Sequence, residues 1–252
     1  MENRVKDILK KLTNKKNIYL VSRGNKAIKE VLKLIDKEVL IQDQGGWLTY
    51  KQFPKKFIEL KTDYGIIDLE DLKNKAKNKV LLINSLTGYF AEQPMKEIER
   101  VCKEKNCLII NDVSGSIGLD IAKIGDIILG SFGEWKIISI NYGGFIASDK
   151  KYNIEEDFDK NKFNLLYKEL KNINERLKFL YDLNKKVKED LKEFNILHKN
   201  KRGINVIVKY KNNLEKEKLI KYCNKNNFQY TLCPRYIRVN CEAISIEIKR
   251  IC

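Results

Sequence analysis

Short apolar runs alternate with stretches of helical spacing through the first two thirds of the chain. Residues 18–21, 39–41, 80–83, 107–111, 127–129 and 137–140 are β-branched or aliphatic runs, and each predicts a buried strand. Between them, 25–35 and 95–105 place their apolar residues on one helical face. This alternation predicts an α/β fold with a mostly parallel, doubly wound sheet between helices. From about 157 to 197 the spacing becomes that of a long charged helix. After His198 come a strand at 204–208, a helix at 214–226 and strands at 236–239 and 243–248. The predicted organisation is a large domain over 1–158, then a linking helix and a small C-terminal α+β domain over 159–252.

Ligands of such sheets gather at the carboxyl ends of the strands. Several distinctive segments map there: Ser22-Arg23-Gly24-Asn25, Gly45-Gly46-Trp47, Leu86-Thr87-Gly88-Tyr89, Asp112, and Ser131 to Lys136. Gly24 permits a tight turn into a helix whose first N–H groups favour a phosphate. A plain turn between strand and helix accounts for Gly24 equally well. Trp47 on a glycine-rich edge suits stacking on a flat ring or the rim of the core. Asp112 ends a fully apolar strand, where a carboxylate needs a cationic or hydrogen-bonding partner. Capping the following turn is its alternative role. Lys136 lies beside Phe132 and Trp135, and partial burial there would free its amine as a nucleophile or base. An acid at one strand end and a lysine at the next are what pyridoxal phosphate chemistry requires: the lysine holds the cofactor as a Schiff base, and the acid keeps its ring nitrogen protonated.

The chain has 252 residues, with 50 Lys and Arg against 34 Asp and Glu, a formal net charge of +16. Such an excess suits a polyanion such as tRNA, but the lysines are scattered along amphipathic segments, so tRNA is not favoured over a phosphate-bearing cofactor or substrate. The six cysteines form no Cys-x-x-Cys pair and there is one histidine, so no zinc set and no metal is expected. The cysteines are expected to be reduced and structural. No apolar run approaches membrane-spanning length, which with a charged start predicts a cytoplasmic protein.

The motifs resemble those of fold-type I pyridoxal phosphate enzymes, most closely a shortened member of the DegT-type sugar aminotransferase family. Ser131-Phe132-Gly133-Glu134-Trp135-Lys136 is similar to that family's Ser-Phe-x-x-x-Lys, and Asp112-Val113-Ser114-Gly115-Ser116-Ile117-Gly118 to its Asp-x-Ala-x-x-x-Gly segment. Gly24-Asn25 stands where the family has a Gly-Thr phosphate turn, Trp47 where it has a ring-stacking aromatic, and Gly88 to Pro94 where it has Gly-x-x-x-x-Pro. The likeness covers roughly residues 18–148. It implies pyridoxal 5'-phosphate as cofactor, with Lys136 as the Schiff-base lysine, Asp112 at the ring nitrogen, Trp47 on the ring, and Gly24, Asn25 and Ser131 at the phosphate. It further implies a homodimer, an amino acid or small amine as substrate, and transamination as the reaction. An arginine of the small domain would hold the substrate carboxylate, Arg238 first and Arg235 second. The chain departs from the pattern at Gly115, where the family commonly has Gln or His, at Asn25, and in its length, which makes a nucleotide-sugar substrate unexpected. Alternatives left open are a lyase, a tRNA-linked sulfur or selenium transferase, and a non-catalytic relative that binds nucleic acid or protein. A nicotinamide enzyme lacks its glycine fingerprint here.

Overall fold

In the computed structural model, which describes residues 1–251, seven strands make one sheet. They are β1 (Asn17–Val21), β2 (Val39–Gln42), β3 (Phe57–Leu60), β4 (Val80–Asn84), β5 (Leu108–Asp112), β6 (Ile127–Ser131) and β7 (Gly144–Ser148). Their order is β1-β7-β6-β5-β4-β2-β3. Every neighbouring pair is parallel except the two made by β7, which runs antiparallel to β1 and β6. The α/β class with a mostly parallel sheet between helices is therefore as the alternation predicts.

The helices of the first half are α1 (Glu2–Thr13), α2 (Gly24–Lys33), α3 (Thr49–Gln52), α4 (Leu69–Lys75) and α5 (Met95–Glu104). Successive strand residues face opposite layers, as the pleat requires. Leu20 and Ile128 join the cluster under α1, whereas Tyr19, Val21, Ile127 and Leu129 join the cluster with Ala27, Ile28 and Val31 of α2. A third cluster packs Leu81 and Ile83 of β4 against Leu72 of α4 and Ile98 of α5. Because both faces are covered, β4 and β6 read as continuous apolar runs rather than alternating ones.

The long charged stretch is two helices, α6 (Phe163–Lys171) and α7 (Ile173–Asp190), meeting at Asn172. Beyond them β8 (Asn195–Ile196), β9 (Val206–Lys209), α8 (Asn213–Lys225), β10 (Tyr230–Cys233) and β11 (Ala243–Ile246) build an antiparallel sheet in the order β8-β9-β11-β10. Val5 and Leu20 belong to the same buried cluster as Leu219 and Ile246, so the two sheets share one core.

Three strand expectations need correction. Residues 137–140 are not a strand: Ile137, Ile138 and Ile140 are buried, but they fill a loop between β6 and β7. Apolar content alone could not separate a buried loop from a strand. Residues 236–239 form a turn, and the strand is β10, just before it. The edge strand β3 was missed, because Phe57-Ile58-Glu59-Leu60 fully buries only Leu60 and follows lysines.

No helix among the described residues is long and apolar enough to cross a membrane. Cys102, Cys107, Cys223, Cys233 and Cys241 are free thiols, and Cys252 lies outside the described residues.

Candidate active site

Strands β1, β4, β5 and β6 end at one edge of the large sheet, and the loops leaving them enclose a recess. Its lining includes Gly24, Asn25, Trp47, Asp112, Ser131 and Lys136, so it brings together six of the seven site residues expected from the sequence. A wider basin of about 600 Å³ shares Gly24, Asn25, Trp47, Ser131 and Lys136 with the recess and extends to the turn after β10 and to Lys249 and Arg250.

Asp112 closes β5 and is buried. One carboxylate oxygen accepts from the Tyr50 hydroxyl at 2.8 Å; the other accepts from the Ser114 N–H at 2.9 Å and the Ser114 hydroxyl at 2.6 Å. Tyr50 stands on α3, fully buried. Burial, then the Asp112 charge, push its phenol well above the ordinary range, so it stays protonated and donates. The Ser114 hydroxyl also accepts from the Ser131 N–H at 2.9 Å, which ties the end of β5 to the end of β6. Asp112 is thus oriented by three donors while still lining the recess.

Gly24 opens α2, packed so tightly on Ser131 that a Cβ there would lie 2.5 Å from the serine's own. Only glycine lets the helix start approach β6 this closely. The start of α2 has no side-chain cap and no acidic residue in its first turn. Its free N–H groups and positive dipole end therefore remain available to an anion. Asn25 is held outward from that turn by the Trp47 indole N–H, which donates to Asn25 Oδ1 at 2.8 Å.

Lys136 projects from the loop after β6 rather than from a strand end. The residue before it, Trp135, has φ of 59°, a left-handed turn that redirects the chain. The Lys136 ammonium donates to the Tyr89 hydroxyl at 2.6 Å and lies 5.1 Å from the Trp47 ring centre. Tyr89 was not singled out from the sequence, although the Gly88-Tyr89 turn was. Its ring occupies the space beside Gly115: a Cβ at Gly115 would meet Tyr89 Cδ1 at 2.7 Å. The departure at Gly115 thus has a physical reason. A tyrosine from the opposite loop fills the place that a side chain at 115 would take.

Arg238 is engaged in a buried ion pair rather than free. It lies in the turn after β10, 3% exposed, and donates from Nε and Nη2 to the Glu247 carboxylate at 2.7 Å each, with Nη1 on the Ile237 carbonyl at 2.8 Å. Burial opposes both charges, but each partner overcomes it, holding Glu247 far below the ordinary carboxylate range and Arg238 above its own. A guanidinium so engaged is held by Glu247, although it still lines the basin. The second arginine of the same turn, Arg235, is exposed and lines the basin. Lys249 and Arg250, which also line it, were not anticipated, because nothing in the local pattern of a C-terminal segment says where it folds back.

Residues 171–252 match the model of the MJ1341 family C-terminal domain. Over 100 residues the chain is 30% identical to cysteine desulfurase IscS of Rickettsia prowazekii (strain Madrid E); this stretch spans 38% of the chain and 23% of that relative. Among solved structures, a DegT DnrJ EryC1 StrS aminotransferase from Brucella abortus superposes with a TM-score of 0.71 at 12% identity, over 97% of this chain and 84% of the other. A serine palmitoyltransferase from S. paucimobilis, solved with a bound PLP–myriocin aldimine, gives 0.72 at 12% identity, over 97% and 70%. At these identities, what the chain shares with the two structures is the fold.

Proposed function

We propose that this chain is a pyridoxal 5'-phosphate enzyme acting on an amino acid, with transamination as its reaction. The observation that carries the reading is the convergence of Asp112, Lys136, Trp47, Ser131 and the uncapped start of α2 on one recess. Each part fits the group. Asp112 is a carboxylate held in place for a ring nitrogen, Trp47 offers an apolar face, the helix start and Ser131 offer phosphate donors, and Lys136 offers the amine. The cofactor supplies an electron sink that renders an amino acid's α-proton acidic. Lys136, on a hydrogen bond to Tyr89, is the base that takes and returns that proton. Tyr50 and Ser114 keep Asp112 oriented, and the Gly24–Ser131 contact keeps the phosphate donors close to the sheet edge.

The test is covalent capture. Given excess cofactor, the protein should turn yellow, and borohydride should bleach it and fix the cofactor's mass on the peptide containing Lys136. Lys136→Ala should do neither. A protein that stays colourless and unmodified refutes the reading. A homodimer, which the resemblance implies, belongs to the same proposal and is measured by sedimentation.

A second reading is elimination at the substrate's β-carbon, as a lyase or desulfurase. Local identity to a cysteine desulfurase favours it. Against a sulfur-accepting thiol in the site stands one fact: no described cysteine lines the recess or the basin. Product analysis decides, with a keto acid retaining the side chain for transamination and a lost side-chain group for elimination.

A further inference from the structure

We propose that the basin at the mouth of the recess is a second anion site, so that the substrate is a small amino acid whose side chain carries a phosphate or a comparably charged acidic group, received by Arg235, Lys249 and Arg250. This rests on the cofactor reading above and goes beyond it by naming the substrate class.

The first observation is an imbalance of buried charge. Glu247 is fully buried and is the one carboxylate serving three cations. Arg238 takes both its oxygens at 2.7 Å, while Lys249 stands at 3.3 Å and Arg250 at 3.6 Å. Arg250 is half-buried: its Nε has no hydrogen-bond partner, while Nη1 donates to Gln229 at 3.0 Å and the guanidinium lies 4.2 Å from the Trp135 ring centre. With Lys249 held near 7 and so only partly charged at neutral pH, the cations of this cluster still outnumber its one described carboxylate, beside a cavity. Uncompensated buried charge is unfavourable, and an anion entering the cavity relieves it.

The second observation is the composition of the wall. Arg23 and Arg235 are exposed on the same basin, and Glu134 is the only acid among its described lining residues. The cofactor's own phosphate is assigned to the start of α2 and Ser131, which line the same basin as these cations. A single substrate carboxylate therefore leaves the wall with positive charge to spare.

Lys249 reports this crowding. It is 4% exposed, with Arg238, Lys136, Arg250 and the Tyr89 ring around it and Glu247 as its one acid. Burial first, then the neighbouring cations, bring it down to about 7 despite Glu247. An arriving dianion reverses that crowding, and Lys249 takes up a proton as the anion binds. The depth of the cluster selects the ligand class. A compact phosphate at the end of a side chain reaches a lysine this buried, whereas a duplex backbone does not.

The experiment uses the borohydride-reduced protein, in which the cofactor is fixed and its phosphate site filled, with inorganic phosphate as the probe. Calorimetry should give saturable binding of one phosphate per chain. Above pH 7 it should be accompanied by proton uptake, seen as a heat that varies with the buffer's ionisation enthalpy. Arg235→Gln, on the surface, should weaken binding about tenfold, as loss of a charge-assisted hydrogen bond does. Lys249→Met should abolish the proton uptake. Absence of saturation, or saturation that neither variant changes, overturns the proposal. So does salt-dependent retention of tRNA without phosphate binding. If reduction fixes no cofactor, the functional reading fails by itself. The same titration on the unmodified protein, judged by its sensitivity to the two variants, then still decides the anion site.

Discussion

The two halves of the site are built by different physics. On the large-sheet side each group stands where a buried strand stops: Asp112 at the end of β5, Ser131 at the end of β6, Gly24 just past β1. Strand ends are fixed by main-chain ladders and by apolar burial on both faces, so the groups are positioned before any ligand arrives. On the small-sheet side the groups come from a turn and a C-terminal segment, and what fixes them is one buried carboxylate, Glu247, with Arg238, Ser245 and Asn205 bonded to it. The first half depends on hydrophobic packing; the second depends on a single ion-pair network.

The comparison predicts that chemistry and stability separate between the halves. Lys136→Ala should lower turnover by roughly 10²- to 10⁴-fold, the range for loss of a positioned base, with little change in melting temperature. Exchange of an amino acid's α-proton in deuterated water reads the first quantity, and a thermal scan reads the second. Glu247→Gln should do the reverse. Removing one member of a buried pair costs about 3–5 kcal/mol, visible in urea denaturation, and three cations are left facing one another. A loss below about 1 kcal/mol would mean that the small sheet is held by apolar packing alone, and the contrast would disappear.

Tyr89 bridges the halves: its hydroxyl meets Lys136, and its ring lies 5.3 Å from the Arg238 guanidinium and 4.7 Å from Lys249. Tyr89→Phe deletes a hydrogen bond to a charged group, worth about 1.5–3 kcal/mol. It should shift the pH at which the cofactor's visible band titrates while leaving covalent capture intact. Gly115→Ala should shift it too, by pressing on the tyrosine ring. An unmoved titration in both variants would show that the tyrosine only fills space.

The same contrast explains what could be read in advance. Asp112, Ser131, Gly24 and Trp47 were legible because a parallel sheet sends its strand ends to one edge, and residues 18–21, 80–83, 107–111 and 127–129 declare themselves as strands by composition. Lys136 was legible as a residue but not as a position: residues 137–140 are apolar because they pack under the loop, not because they pair. The pairing of Arg238 was hidden for a related reason. Its partner Glu247 is nine residues on and across a strand, and no local pattern distinguishes a buried paired arginine from an exposed one such as Arg235. The Tyr89–Gly115 exchange was visible only as a gap, since the residue filling it lies on another loop.

The effect that isolates the small-sheet half is the pH dependence of stability. Lys249 titrates at about 7 in the folded chain against an ordinary 10.5. Between these values the unfolded chain holds a proton that the folded chain has released, so this group makes stability rise with pH across that window. Below about 7 both states are protonated and its slope vanishes. Glu247 acts elsewhere: its depressed value gives stability that is present above the ordinary 4.5 and lost as pH falls below it. Subtracting the profile of Lys249→Met from that of the parent removes the thiols and tyrosines common to both. The difference should climb from neutral pH towards 10.5 and stay level below 7. Added phosphate should push the onset of the climb to higher pH, because an anion that restores the lysine's charge also restores its affinity for the proton. A flat difference would mean that Glu247 alone neutralises the cluster, and both halves of the site would then be fixed without any need for a ligand's charge.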